Sequence, residues 1–286
     1  MPLIAVFVYF LRRARGAILG WGLTLALLGW YMLSFYDTLA AQQETLEALV
    51  AQYPPELMVF FGGAAEMFTP AGYLNLEFFS YMPLILGIYA VLLGSGMLAG
   101  DEENGTLDLL LAQPIHRTTL WAGRLLSVGA ILALILLFTW VGFVIGERQT
   151  SLGIRPLEML RPFLSFFAVL FLFAAMAFFL SMVLPSRNLA ATLGALLVFV
   201  SYFVHSLAQL DENLRPLARY LPLHYYQGGQ ALNGLKGDWL AILFGVGLAF
   251  ALLGWLFFLR RDIRLTGERS WKWGFLLKMA KQNWDK

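Results

Sequence analysis

The chain has 286 residues, of which 59% are hydrophobic and 13% charged, where an ordinary soluble domain is roughly 25% charged. A soluble globule this apolar could not cover its surface with polar groups, so the composition points to a membrane. A net charge of +2 leaves no broad basic footprint for nucleic acid, and the absence of cysteine excludes disulfides, thiolate metal sites and cysteine nucleophiles.

In chain order, Pro2–Arg15 reads as an amphipathic helix on the membrane surface, its arginines among the headgroups. A slack start to the first span is the alternative. The apolar run Leu3–Leu11 precedes the arginines, the reverse of the order in a secretory signal. Six apolar blocks follow, at about 16–35, 78–99, 125–146, 162–184, 189–208 and 239–259. Each is close to the ~20 residues that cross a hydrocarbon core as a helix. None alternates as a barrel strand would. The expected fold is an all-α integral membrane protein with six transmembrane helices, forming a single transmembrane domain over 1–286.

With the N-terminus inside, fourteen of the 20 lysines and arginines fall on inner segments and six on outer loops. The positive-inside rule then puts both termini in the cytoplasm. The outer segment Tyr36–Glu77 carries an amphipathic stretch, Pro54-Pro55 and Gly62-Gly63, and is expected to form short helices capping the bundle. The outer segment Gln209–Asp238 carries turn signals at Pro216, Pro222 and Gly228-Gly229.

The six blocks contain no Asp, Glu, Lys or Arg; His205 is their ionisable side chain of note. Transporters driven by protons or ions usually keep an ionisable group at membrane depth, so this pattern argues for energy delivered from outside the membrane. The chain has no Gly-x-x-x-x-Gly-Lys-Ser/Thr loop to hold nucleotide phosphates, and no His-Glu-x-x-His or Gly-x-Ser-x-Gly. It is not expected to be an enzyme, and no residue is assigned a catalytic role. His205, His224, Asp211 and Glu212 could meet outside and bind a metal, or be plain interfacial polar residues.

Small residues recur where helices could approach closely: Gly16 and Gly20, Gly94 and Gly96 with Gly100, and Gly142 and Gly146. The phenylalanines of the fourth block read as packing or lipid-facing, with a substrate lining as the sharper alternative.

The inner segment after the second block reads DEENGTLDLLLAQPIHRTTLWAGRLL from Asp101 to Leu126. Asp101, Glu102 and Glu103 stand where a helix ends, opposing its dipole. Gly105 can close that helix, Thr106 can cap a short leucine-rich one, Pro114 ends it, and Thr118 or Thr119 can start the next. A solvated loop with an interfacial helix is the plainer reading.

The run GSGMLAGDEENGTLDLLLAQPIHRTTLWAGRLL, Gly94–Leu126, resembles ABC-2 type permease subunits. The family pattern is an acidic pair, Gly-Thr-Leu, a leucine run, Pro-Ile or Pro-Val, a basic residue and Gly-Lys/Arg-Leu/Phe. The likeness continues in LEFFSYMPLIL (Leu76–Leu86), RYLPLHYYQGGQALNG (Arg219–Gly234) and FLRRDI (Phe258–Ile263). It implies an exporter permease in the cell (inner) membrane that pairs with a second copy and binds two ABC ATPase subunits. ATP and Mg would reside in those partners, with no cofactor in this chain. The segment 101–124 would be the coupling element, with Asp101, Glu102, Glu103, Gly105, Thr106, Pro114, Arg117 and Arg124 at the ATPase interface. Asn104 departs from the basic residue many relatives carry.

Overall fold

The computed structural model describes residues 2–42, 54, 69–103 and 115–260, and all the regular structure among them is helical. Helix α1 (Pro2–Arg13) is separate from α2 (Arg15–Leu33), with the break at Ala14. The short α3 (Tyr36–Ala40) extends α2. Then come α4 (Pro70–Leu74), a π-helical turn (Asn75–Phe79) and α5 (Met82–Glu103). Three long helices follow: α6 (Arg117–Glu147), α7 (Pro156–Val183) and α8 (Arg187–Leu207). Short turns lead through α9 (Arg215–Ala218) to α10 (Gly237–Arg260). Among the described residues, five helices are long and apolar enough to cross a membrane, and the bent pair Pro70–Phe79 with Met82–Leu98 counts as a sixth when its two parts are taken as one span.

The second span differs from a straight helix starting at Phe78. Its two parts meet at 44°. Pro83 supplies the cause: without an N–H it cannot continue the ladder back to Phe79, and its ring crowds the preceding turn. The π turn just before the break carries a wide bond from Ser80 N to Asn75 O, 2.8 Å. The fourth span starts earlier than expected. α7 begins at Pro156, with Pro at its first position, and runs through Pro162.

α7 is the hub of the bundle. Some 78% of its apolar window is buried, against 28% for α2, α8 and α10, so the other helices pack around it. That settles the role of its phenylalanines: Phe163, Phe166, Phe173 and Phe178 are buried in the core, not a lipid-facing stripe. Phe163 meets Phe79 at 5.2 Å and Phe143 at 5.4 Å between ring centroids, largely edge to face.

Where backbones come closest, glycine is obligatory. A Cβ on Gly94 would run into the Ala174 carbonyl of α7, and one on Gly142 into the Ala26 backbone of α2. Gly146 would crowd Leu33 Cβ at 3.0 Å, and Gly96 faces the Arg187 guanidinium at 3.1 Å. Gly16 and Gly20, by contrast, face open space. Such contacts replace the hydrophobic drive that lipid does not provide.

Candidate functional site

The helices alternate in direction, so the C-terminus of α5 and the N-terminus of α6 lie at the end of the bundle that carries α1. Asp101, Glu102 and Glu103 form the last turn of α5. Gly105, Thr106, Pro114 and the expected short coupling helix lie outside the described residues. α6 begins at Arg117, one residue before the expected Thr118, with His116 in extended backbone conformation at its cap.

Arg117 reaches across to the end of α10. Its Nη1 donates to the carbonyls of Phe258, 3.2 Å, and Leu259, 3.4 Å. Both carbonyls lie on α10, and the guanidinium gives them a charged donor from a neighbouring helix. Nearby, Trp255 Nε1 donates to Thr118 Oγ1 at 3.3 Å. Arg117 therefore holds α6 to α10.

Arg124 departs from the reading that placed it on a partner-facing surface. Its side chain is fully buried. Nη1 donates to the Met97 carbonyl of α5, and the guanidinium carbon sits 4.8 Å from the centre of the Phe10 ring of α1. The physical reason is the packing of α1, whose Val6 and Phe10 are buried against α6. Gly123 admits Val6, since a Cβ there would come within 2.7 Å of its methyl. Ser127 Oγ, one turn on, donates to Gly123 O at 2.7 Å and lies 3.3 Å from Phe7 O. A charge buried this deeply is tolerable only with such partners. Arg124 thus joins α1, α5 and α6 internally.

The opposite end is built differently. Pro83 leaves the Phe79 carbonyl without its helical donor, and Tyr226 O–H donates to it at 3.0 Å. Asn75 Oδ1, in the π turn, accepts from Gly229 N at 3.1 Å. Gly228 takes a positive φ of 50°, and a Cβ on Gly229 would strike the Ala71 carbonyl, so this Gly-Gly pair lets the loop lie on the bent span. Ser165 of α7 and Ser201 of α8 accept from Gln227 N and Leu223 N, at 3.0 and 3.1 Å. Irregular backbone at the bundle end is thereby satisfied by side chains from three helices.

Between this loop, α5, α8 and the start of α10 lies a cavity of about 430 Å³ that includes His205 and His224. The acidic half of the imagined metal site is elsewhere engaged: Asp211 Oδ1 accepts from Asn213 N at 2.9 Å, and Glu212 pairs with Arg215 at 2.8 Å. Among the described residues, no three His, Asp or Glu side chains converge as metal ligands. The roles of Asn75, Tyr226 and Gln227 were missed in the sequence. Tyr226 and Gln227 lie in the Arg219–Gly234 stretch and Asn75 just before Leu76–Leu86, but the pairing of these distant segments was not legible.

A family model described as ABC-2 family transporter protein matches residues 10–263. The chain belongs to the ABC-2 transporter family. No curated protein matches it. This ABC-2 chain is accordingly a multi-pass membrane component of an ABC transporter and not the ATPase, and its family works with an ABC ATPase partner. The matched span takes in every helix from α2 to α10 and the end of α1, so both ends of the bundle belong to the family's fold.

Proposed function

We propose that the chain is the permease subunit of an ABC-2 exporter, working as a pair of permeases on two separate ATPase subunits that hold ATP and Mg. In this reading 1–286 is one transmembrane domain in the cell membrane, with both termini and the α1 end in the cytoplasm. Fourteen of 20 basic residues on that side support the orientation. ATP-driven closure of the ATPases presses on 101–124, and the motion passes to the spans.

One observation carries the coupling step. The two helices that flank the segment are fastened to each other by Arg124 on Met97 and to α1 through Phe10. α6 is fastened further to α10 by Arg117. A push on the segment then moves a braced group of helices and is not absorbed by one loop. Among the expected interface residues, Asp101, Glu102 and Glu103 are the partner-facing candidates, while Arg117 and Arg124 act by bracing.

The test exploits charge. An exposed charge pair contributes roughly 0–1 kcal/mol, so single changes do little. Reversing both Glu102 and Glu103 to lysine sets like charges against a basic partner surface. The double variant should insert normally but lose ATPase co-purification and permease-dependent ATP hydrolysis. Normal co-purification and hydrolysis by the double variant would remove the acidic pair from the interface.

A further inference from the structure

The cavity at the end opposite α1 is lined by donors without a carboxylate. Its described lining includes the imidazoles of His205 and His224, the amides of Gln209 and Gln230, and the ammonium of Lys236. No Asp or Glu is among those lining residues. Asp211 and Glu212, the acids on the connection leading in, are held by Asn213 and Arg215. Among the described lining residues a cation would find no carboxylate, whereas an anion would find several N–H groups.

Lys236 is placed with unusual care for an exposed lysine. The Gln227 side chain grips its backbone from both sides: Lys236 N donates to Oε1 at 2.8 Å, and Nε2 donates to Lys236 O at 3.1 Å. Gln227 is itself tied to Ser165 of the central helix. The ammonium then lies 4.2 Å from the centre of the Trp239 ring. His224 sits on the same tryptophan with centroids 5.6 Å apart and planes tilted by 31°. A buried amide therefore fixes the backbone of the charged group, and an indole gives it a platform. The rest of the lining mixes the apolar Phe79, Pro83 and Leu223 with the hydroxyls of Ser80, Tyr202 and Ser206 and the amide of Asn75.

We propose that this cavity binds the anionic headgroup, phosphate or carboxylate, of a small amphiphile. Lys236 makes the charge-assisted contact, and His205 and His224 donate from deeper in the cavity. The apolar part of the lining takes the first carbons attached to the anion. A volume of about 430 Å³ suits a phosphate with a glycerol-sized body, and is too small for a folded domain or a long glycan. The site does not depend on the ATPase-coupling reading, because every group in it belongs to this chain.

The test uses the full chain in detergent, with binding followed by thermal stabilisation and calorimetry. The probes are dihexanoylphosphatidic acid, inorganic phosphate and, as the zwitterionic control, dihexanoylphosphatidylcholine. The expected order is phosphatidic acid above phosphate, with phosphatidylcholine inert. Equal binding of phosphate and phosphatidic acid also supports an anion site and assigns it to soluble anions. Lys236→Gln should weaken the anion roughly tenfold, the size of one charge-assisted contact, and Lys236→Arg should restore most of it. Lys236→Gln should fold normally, since the Gln227 grip is on the backbone. Binding of phosphatidylcholine as tight as that of phosphatidic acid, unchanged binding by Lys236→Gln, or no binding of either anion would overturn the proposal.

Discussion

The two ends of this bundle solve the same problem with opposite materials. At the α1 end, long regular helices meet through apolar contacts and the close approaches at Gly94 and Gly123, and one buried arginine joins three of them. At the other end the backbone is irregular, with a π turn, a proline break and 3-10 turns, and side-chain hydrogen bonds hold it together. Regular helices satisfy their own backbone and can be moved as rods. Irregular backbone needs outside partners, and the pieces that supply them leave a polar cavity. The difference teaches where each proposed task fits: receiving force suits the end where the helices are braced, and recognising a ligand suits the end where the backbone opens.

The largest effect expected from breaking this contrast is at Arg124. Arg124→Ala removes the guanidinium between Met97 and Phe10 and leaves a hole among α1, α5 and α6. The loss should be about 3 kcal/mol, the range of large-to-alanine changes in packed cores. It would be read as a fall in the melting temperature of purified protein. Arg124→Met fills most of the volume without a charge and sharpens the test. Buried charges are often replaceable by apolar groups with no loss of stability. A stable Arg124→Met protein with impaired ATP hydrolysis would show that the arginine serves motion more than stability. If Arg124→Ala melts like the parent, Arg124 is not a brace.

The far end should respond less to a comparable change, because its hydrogen bonds are many and individually modest. Tyr226→Phe deletes one hydroxyl and strands the Phe79 carbonyl at the proline break. The expected cost is about 1 kcal/mol, that of one hydrogen bond with a half-buried partner. Hydrogen exchange should rise locally at the π turn and α4, with the α1 end unaffected. Exchange that rises equally at both ends would mean the two regions are one cooperative unit.

Much of this was legible from composition and block length. Six apolar blocks marked the five long helices and the bent pair, and the early arginines separated α1 from α2. The 101–126 motif and its companions gave the family. What pattern could not give was contact between distant residues. Arg124 reads as a surface residue because it follows a polar segment; only the return of α1 across α6 buries it. Pro83 sat in plain view inside an apolar block, yet its consequence depends on Tyr226, 143 positions further along the chain. Likewise, the sequence left a metal site of His205, His224, Asp211 and Glu212 open beside the plain reading of interfacial polar residues. Local capping and pairing took both acids away, which periodicity does not encode.

The smallest effect is a pH dependence, and it also belongs to the far end. His224 lies in the 3-10 turn Pro222–Tyr225, where burial and then the nearby Arg219 charge hold its pKa below the ordinary 6.5. Its basic neighbours are Arg219 and, in the same cavity, His205 and Lys236; the tyrosines Tyr202, Tyr225 and Tyr226 nearby are neutral in this pH range. Because the folded value is the lower one, the unfolded chain binds more protons between the two values, and stability there rises with pH. The penalty is absent well above pH 6.5, grows as pH falls below it, and levels off below the folded value. His224→Gln keeps a polar ring-sized group without the titration, so melting temperature should fall less steeply between pH 7.5 and 5. A variant at the α1 end, such as Arg124→Met, should leave that slope unchanged. Bound phosphatidic acid should act in the same direction as His224→Gln, since an anion beside the imidazole favours its protonated form. An identical slope in His224→Gln and the parent would show that protonation is governed elsewhere in the molecule.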